Sequence, residues 1–197
     1  MYNRQDFAKA CELYREWNSK INVISRKDID SVYEHHILHS LAILDYLKTI
    51  GEPLEGVSFL DVGTGGGFPG IPLAMCLPQC RFVLCDSIGK KIRVAESIAR
   101  ELGLDNVTCI NARAETVQET FDWVVSRAVT RLDNFYPWVR GKFTRGILYL
   151  KGGDVNEEIS SLCGKIGLDP HKVGVWPISS SIKDEYFDEK FVIDIRK

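Results

Sequence analysis

Hydrophobic residues recur at helical spacing through the first 50 residues of the chain. Apolar side chains occupy positions 7, 10, 11, 14 and 17, and then positions 29, 32, 37, 41, 44 and 47. An apolar stripe that returns every three or four residues is typical of an amphipathic helix. The pattern therefore predicts a helical layer, with helices over residues 3–19 and 28–50. Gly51, Pro53 and Gly56 end this layer, because glycine and proline interrupt helices.

Beyond residue 50 the pattern changes to short apolar runs that alternate with helical segments. The apolar runs predict seven strands, at 57–62, 81–86, 107–111, 122–128, 145–152, 171–176 and 190–196. The intervening segments predict helices at 70–77, 88–102, 115–120, 131–140 and 154–166. This alternation is typical of an α/β fold with a mostly parallel sheet and helices on both faces. No long helix separates the last two strands, so we expect them to pair antiparallel, and we expect residues 1–50 and 51–197 to pack as one unit.

A glycine-rich turn, with the sequence GTGGGFPG at 63–70, directly follows the first predicted strand. Glycine lets the backbone turn tightly and approach a ligand, and the N-terminus of the following helix presents unpaired N–H groups. Ligands of open α/β sheets bind at the carboxyl ends of the strands, which is where this turn falls. The turn is therefore the strongest local candidate for a binding site.

Two ligand classes compete for this turn. Read as G-x-G-x-x-G from Gly65, it fits a dinucleotide site, with Asp86 following 21 residues later at the place of a ribose-binding acid. Read as acid-x-G-x-G-x-G from Asp61, it fits an S-adenosylmethionine site. Asp86 serves either ligand, or else it caps the helix at 88–102. The Asp61 carboxylate suits an ammonium and a sulfonium and repels a pyrophosphate, which favours the methyl donor over a dinucleotide or a purely structural turn.

Composition narrows the choice of partners. The chain has 197 residues, 45% of them hydrophobic, with 25 basic and 27 acidic side chains for a net charge of −2. This balance is typical of a folded globular protein, and it excludes a basic field over the whole surface, so a nucleic acid requires a local basic cluster. The six cysteines lack C-x-x-C spacing, and His35 and His39 lack a third ligand, so we expect free thiols and no metal. We find no signal peptide or membrane-length apolar run, which favours a cytoplasmic protein.

Motifs spread over nearly the whole chain resemble those of one enzyme family. The most specific is LDVGTGGGFPGIPLA at 60–74. The others are Trp17-Asn18, Ile21-Asn22, His36-Ile37-Leu38, Asp86-Ser87, Gly89-Lys90-Lys91, Arg113-Ala114-Glu115, Ser126-Arg127-Ala128 and Leu150-Lys151-Gly152. Together they resemble the bacterial small-subunit (16S) ribosomal RNA guanine-N7 methyltransferases, also called the glucose-inhibited division protein B family. The resemblance implies a Rossmann-like class I methyltransferase fold with a seven-stranded sheet, using S-adenosyl-L-methionine to methylate N7 of one guanine in the small ribosomal subunit.

The candidate site residues come from the turn and from the resemblance. The resemblance implies donor contacts at Gly63, Phe68, Ala114, Glu115 and Arg127. The turn and the second strand add Asp61, Gly65 and Asp86. Arg127 is the candidate catalytic residue, because it ends the fourth predicted strand, where a side chain reaches both donor and base; otherwise it caps the next helix. Candidate RNA contacts, which otherwise form only a solvated surface, are Asn22, Arg26, Lys27, His36, Lys90, Lys91, Arg93 and Lys151.

The chemistry implied for this site requires no proton transfer. Guanine N7 carries a lone pair in the ring plane, so we expect catalysis mostly by positioning, which can supply about 7–11 kcal/mol of a barrier. The fourth strand ends in Ser126-Arg127-Ala128-Val129 rather than in the Asn/Asp-Pro-Pro-aromatic run of exocyclic-amine methyltransferases, and Cys109, inside a strand, is poorly placed as a nucleophile. Two alternatives remain open: an NAD-dependent oxidoreductase and a non-catalytic ribosome-assembly module.

Overall fold

A computed structural model describes residues 2–196, which form a single seven-stranded sheet with helices on both faces. The strands are β1 (Ser58–Val62), β2 (Arg81–Asp86), β3 (Val107–Asn111), β4 (Phe121–Arg127), β5 (Phe143–Gly152), β6 (Val173–Pro177) and β7 (Lys190–Arg196). The helices are α1 (Ala8–Lys20), α2 (His39–Thr49), α3 (Gly70–Cys76), α4 (Gly89–Leu102), α5 (Leu132–Val139) and α6 (Asn156–Ile166), with a π-helical turn at Val32–Leu38. Each of the seven predicted strands is confirmed within two residues at each end.

The sheet order is β3-β2-β1-β4-β5-β7-β6. Strands β1 to β5 run parallel, and β7 inserts between β5 and β6, antiparallel to both. The expected antiparallel pairing of the last two strands is thus confirmed. The chain winds outward from β1 to β3 and then returns to β4 on the other side of β1. This reversal of direction opens a crevice between β1 and β4 at their carboxyl ends, which is where open α/β sheets bind ligands.

Alternate side chains of the strands fill two apolar cores. Phe59, Phe82 and Trp123 face one core together with α1, the π-helical turn, α2, α3 and α4. Leu60 and Val124 face the other core, which α5 and α6 cover. The helical layer predicted for the first 50 residues therefore lies on the same face of the sheet as α4. Its buried aromatic residues reach the turn between β1 and α3.

Two predicted helices differ from the structure. The predicted helix at 115–120 is wrong: a short 3-10 turn at Ala114–Thr116 is followed by extended backbone at Val117. In this extended segment the Lys142 ammonium donates to the carbonyl oxygens of Glu115 and Val117. The helix predicted at 28–50 is interrupted, since a 3-10 turn at 29–31 and the π-helical turn precede α2.

Membrane-spanning helices and metal-binding clusters were searched for in the part of the chain that the structure describes. Among residues 2–196, no helix combines the length and the apolar character needed to cross a membrane. The same residues contain no cluster of three or more His, Cys, Asp or Glu side chains arranged to hold a metal ion. The six cysteines are free thiols.

Candidate functional site

A cavity of about 460 Å³ opens at the carboxyl ends of β1, β2, β3 and β4. Five of the predicted donor-binding residues line it: Gly63, Asp86, Ala114, Glu115 and Arg127. They come from four separate parts of the chain, and the parallel sheet brings them together because the strand ends meet at one edge. A cavity of this size is in the usual range for small-molecule sites. The apolar part of its wall includes Ile88 and Trp138 beside these polar groups.

Asp86 fastens the glycine-rich turn to the second strand. One carboxylate oxygen accepts a hydrogen bond from the backbone N–H of Gly65 at 2.8 Å, and the other accepts from the N–H of Ile88 at 2.8 Å. The second contact closes a turn just ahead of α4, whose N-cap residue is Ile88 and which has no side-chain cap, so Asp86 does not cap the helix. Each oxygen keeps a further lone pair. Asp86 can therefore shape the turn and still accept hydrogen bonds from a ligand in the cavity.

Asp61 lies beneath the turn and does not line the cavity. Its side chain is fully buried, and one oxygen accepts from the Thr64 hydroxyl at 2.6 Å and from the Gly70 N–H at 2.8 Å. Gly70 must lack a side chain, because a Cβ there would lie 2.8 Å from that oxygen and from Leu84. Burial raises the pKa of Asp61 to about 7, while the hydrogen bonds oppose the rise. Its influence on a bound ligand is thus exerted through the turn that it holds.

Gly63 brings the turn close to the loop that follows β4. Its φ is +68°, a left-handed conformation that glycine adopts readily, and an added Cβ would lie 2.4 Å from a methyl group of Val129. Ala128, which precedes Val129, has a φ of +48°, and this conformation is strained for a residue with a side chain. The site therefore holds backbone strain one residue from the predicted catalytic arginine.

Phe68, predicted to contact the donor, is 3% exposed and does not line the cavity. Its ring stacks on Tyr14 with a centroid separation of 4.4 Å, and the Arg127 guanidinium lies 4.9 Å from the Phe68 centroid on a face of the ring. Phe68 thus supports Arg127 rather than forming the cavity wall. Tyr14, on α1, belongs to the site region although the sequence pattern assigned it only to the core.

Arg127 ends β4 and faces acceptors that carry no charge of their own. Its guanidinium lies 2.9 Å from Nδ1 of His36 and donates to the His35 carbonyl at 3.4 Å. Within residues 2–196, no carboxylate comes within ion-pair distance of it. Burial lowers the pKa of Arg127 from its usual range. A half-buried cation without a carboxylate partner loses part of its hydration, and at a cavity wall it is therefore a strong candidate for a ligand contact.

The predicted RNA contacts fall into two groups. Asn22, Arg26, Lys27, Lys90 and Arg93 are exposed, and Lys91 reaches the cavity wall. The loop that carries Asn22 and Arg26 approaches the glycine-rich turn, because a Cβ on Gly66 would lie 2.9 Å from Val23.

The remaining two predicted RNA contacts are engaged within the protein. The His36 side chain is only 12% exposed and lies between Asp28 and Arg127. Lys151 forms a half-buried ion pair with Glu158 at 2.9 Å. Sequence reasoning missed Asp28 and Trp138, and no spacing signal points to Asp28, because its contacts depend on how residues 28–38 fold.

Comparison with known proteins adds independent findings. The family model for rRNA small subunit methyltransferase G matches residues 3–177. A ribosomal RNA small subunit methyltransferase G from Flavobacterium johnsoniae is 46% identical, over 97% of this chain and 90% of the relative. One from Bacteroides fragilis is 45% identical, over 96% of this chain and 91% of the relative. The resemblance read from the motifs is therefore confirmed.

Solved structures agree on the fold. Magnesium protoporphyrin IX methyltransferase from Synechocystis, with bound S-adenosylmethionine, has a TM-score of 0.67 at 13% identity, covering 99% of this chain and 98% of that one. A putative rRNA methylase from Clostridium thermocellum has a TM-score of 0.56 at 21% identity, covering 80% and 95%. The predicted Rossmann-like methyltransferase fold is thus confirmed. Because the family model and the relatives extend over nearly the whole chain, this protein belongs to the rRNA small subunit methyltransferase G family.

Proposed function

We propose that this protein transfers a methyl group from S-adenosyl-L-methionine to N7 of a guanine in 16S ribosomal RNA. The observation that carries the proposal is that Arg127 and Gly63 of the glycine-rich turn line the same cavity, in a chain of this family. Arg127 brings a positive charge without a carboxylate partner to the carboxyl edge of the sheet, at a cavity where the turn lets a ligand approach the backbone.

The residues at the cavity fit the proposed donor. Asp86 and Glu115 offer carboxylate oxygens to hydroxyl and amine hydrogens, and Ala114 and Trp138 offer apolar surface. Gly63 and Gly65 let the backbone come close without Cβ collisions. When bound, the donor supplies a methyl group activated by a positively charged sulfur. Asp61 contributes by holding the turn in shape, through its bonds to Thr64 and Gly70.

The transfer itself is a balanced displacement that requires no general base. The N7 lone pair forms the new N–C bond, the S–C bond breaks, and its electron pair stays on sulfur, so the positive charge passes to the guanine. The protein's part is to orient the base and to exclude water. Arg127 is suited to this role because its guanidinium has free N–H donors and guanine offers O6 beside N7 as an acceptor.

We propose that the RNA backbone lies along the exposed basic side of the cavity. Lys90 and Arg93 at the start of α4, Lys91 at the cavity wall, and Arg26 and Lys27 beside the turn supply positive charge there. A net charge of −2 makes this local cluster necessary. Lys151 contributes less, because Glu158 already neutralises it. We propose a cytoplasmic location on the same ground, because the proposed substrate is ribosomal RNA.

The decisive experiment combines binding with mapping of modified nucleotides. The purified protein is incubated with labelled S-adenosylmethionine and small subunits from cells that lack the protein, and the RNA is mapped by mass spectrometry. Calorimetry with S-adenosylhomocysteine and with NADH runs in parallel. We expect one new N7-methylguanine and binding of S-adenosylhomocysteine alone. Binding without transfer would favour an assembly module, NADH binding would favour an oxidoreductase, and an unchanged map would overturn the proposal.

A further inference from the structure

Three side chains form a hydrogen-bonded row that runs from the helical layer to the cavity. Asp28 lies in the loop before the π-helical turn, His36 lies in that turn, and Arg127 ends β4. His36 Nε2 contacts one carboxylate oxygen of Asp28, and His36 Nδ1 contacts the Arg127 guanidinium at 2.9 Å. The contact between His36 and Arg127 joins residues 91 positions apart, and the row ends at the one charged side chain of β4 that lines the cavity.

The chemistry of the partners fixes the proton on His36. A guanidinium has only donors, so Nδ1 must be the acceptor and carries no hydrogen. A neutral imidazole then carries its hydrogen on Nε2, where it donates to Asp28. Burial and the Arg127 charge both favour the neutral ring and lower the pKa of His36 to about 4, while Asp28 opposes this shift. His36 is therefore neutral near pH 7, with a defined tautomer.

The π-helical turn explains how Asp28 is held. The wider turn places the two adjacent histidines so that His35 Nδ1 contacts the second carboxylate oxygen of Asp28. The His35 ring in turn stacks on Tyr186 with a centroid separation of 3.7 Å. π-helical segments are uncommon and occur frequently at functional sites. Asp28 is thus fixed through both oxygens, and it fixes His36 from the side opposite Arg127.

We propose that Asp28 and His36 are positioning residues that set the orientation of the Arg127 guanidinium for methyl transfer. This inference rests on the function proposed above. A neutral acceptor orients the guanidinium and leaves its charge available for the substrate, whereas a carboxylate in direct contact would neutralise it. Asp28, which is separated from Arg127 by the His36 ring, supplies a compensating negative charge without contacting the guanidinium. On this inference the helical layer forms part of the catalytic site.

A matched pair of substitutions separates orientation from simple packing. In His36→Asn the side-chain oxygen takes the place of Nδ1 and can still accept from Arg127, whereas in His36→Gln the amide takes the place of Nε2 and reaches Asp28 only. We expect kcat to fall about 10–100-fold in His36→Gln and less than about 5-fold in His36→Asn, because misplacement of an orienting group is costly. Because Arg127 also lines the donor cavity, the Kd for S-adenosylhomocysteine is measured alongside, and we expect it to change less than kcat in His36→Gln.

A second pair tests the negative charge. Asp28→Asn keeps the shape and can still accept from Nε2, so we expect a smaller fall in kcat, about 3–10-fold. Glu34→Gln is the matched control, since it removes a carboxylate from the same segment that pairs with Arg4 and not with the row. Its kcat should equal that of the native protein. The inference is overturned if the kcat of Asp28→Asn equals that of this control, or if kcat falls equally in the two His36 variants.

Nitrogen NMR of the ligand-free protein provides a readout that does not depend on activity. We expect the His36 ring to be neutral at pH 6 with its hydrogen on Nε2, and to titrate near pH 4. Arg127→Met should raise the pKa of His36, because it removes a repelling charge, while Asp28 and His35, the other ionisable groups facing the ring, are unchanged. A hydrogen on Nδ1, or a His36 pKa indifferent to Arg127→Met, overturns the inference. Failure of methylation by the native protein, with this tautomer observed, would instead refute the proposed function.

Discussion

Charged side chains are partnered differently at the amino ends of the parallel strands, here called the amino edge, and at the carboxyl ends of β1 and β4, on the carboxyl edge. At the amino edge, Arg196 binds Asp194 at 2.7 Å and reaches Glu52, which also binds Arg145 at 2.8 Å, so that charges of opposite sign are in contact. At the carboxyl edge, Arg127 contacts only neutral groups, and Asp61 accepts only from a hydroxyl and a backbone N–H. Both edges contain a buried aspartate with one oxygen that lacks a partner in the described chain.

The difference shows which charges serve folding and which serve the site. A cation in contact with a carboxylate recovers part of its desolvation cost. Removing one partner leaves the other charge uncompensated. A buried charge facing neutral groups recovers less, so it reduces stability and is retained for another purpose. The carboxyl edge thus contains, in Arg127, a charge that a ligand in the cavity can complete. Variants of the two edges should therefore separate activity from stability.

Arg127→Met gives the largest expected effect on the carboxyl edge. We expect the rate of methyl transfer to fall about 10²–10³-fold, because the group that orients the base is lost. The free energy of unfolding should stay the same or rise, since the variant removes a half-buried cation without a carboxylate partner. Single-turnover kinetics and urea unfolding measure the two quantities. A clear loss of stability in Arg127→Met would contradict the comparison between the edges.

The raised pKa of Asp61 should make the free energy of unfolding depend on pH. Its pKa is raised by burial to about 7, so between about pH 4 and pH 7 the folded protein keeps a proton that the unfolded chain releases. The free energy of unfolding should therefore fall as pH rises through this window, by at most about 1.4 kcal/mol per pH unit from this group. Asp61→Asn should remove that slope, as measured by urea unfolding at several pH values. Burial also raises the pKa of Asp194, but Tyr46 and Arg196 oppose the shift, so Asp194→Asn should change the slope less.

Arg196→Met, at the amino edge, is the counterpart of Arg127→Met at the carboxyl edge. We expect the free energy of unfolding to fall by about 1–2 kcal/mol, because Asp194 loses its cation while Arg196 itself is partly exposed. The rate of methyl transfer by the folded protein should be unchanged. Thermal unfolding and single-turnover kinetics provide the measurements. A fall in rate comparable to that of Arg127→Met would show that the edges are not functionally distinct.

Ala128→Gly gives the smallest expected effect. It relieves the strain of a φ of +48°, but glycine loses more entropy on folding, so we expect a net gain of less than about 1 kcal/mol. Ala112→Gly, at the same cavity but without a positive φ, should instead lose about 0.5–1 kcal/mol. Urea unfolding of both variants tests the difference in sign. Equal losses would mean that residue 128 is not strained.

Much of the fold was predictable because its signals are local. The runs at 57–62 and 81–86 are apolar and end in or near acidic residues, and the glycines of the turn are adjacent in sequence. Five of the eight predicted donor contacts line the cavity, since parallel strands bring their carboxyl ends to one edge. Asp61 and Phe68 lie just behind that wall. Their burial was not evident, because a residue beside a turn can point to either side of it.

What was missed depends on contacts between distant residues. Nothing in the sequence near Asp28 indicates that it binds both His35 and His36, because that geometry requires the π-helical turn. The segment at 115–120 is extended after a 3-10 turn at Ala114–Thr116, and its carbonyl groups contact Lys142, a residue distant in sequence. His36 was predicted to contact RNA from its position alone, and Arg127 is the residue that engages it.

The insertion of β7 between β5 and β6 has a consequence for synthesis on the ribosome. While the chain is being made, β5 forms one side of the growing sheet, and the seven residues 146–152 lack their outer neighbour until residues 190–196 have emerged. An open strand of that length invites pairing with other nascent chains. The segment that closes this edge follows Tyr186, whose ring supports His35. The same late step thus protects the sheet from aggregation and completes the support behind Arg127.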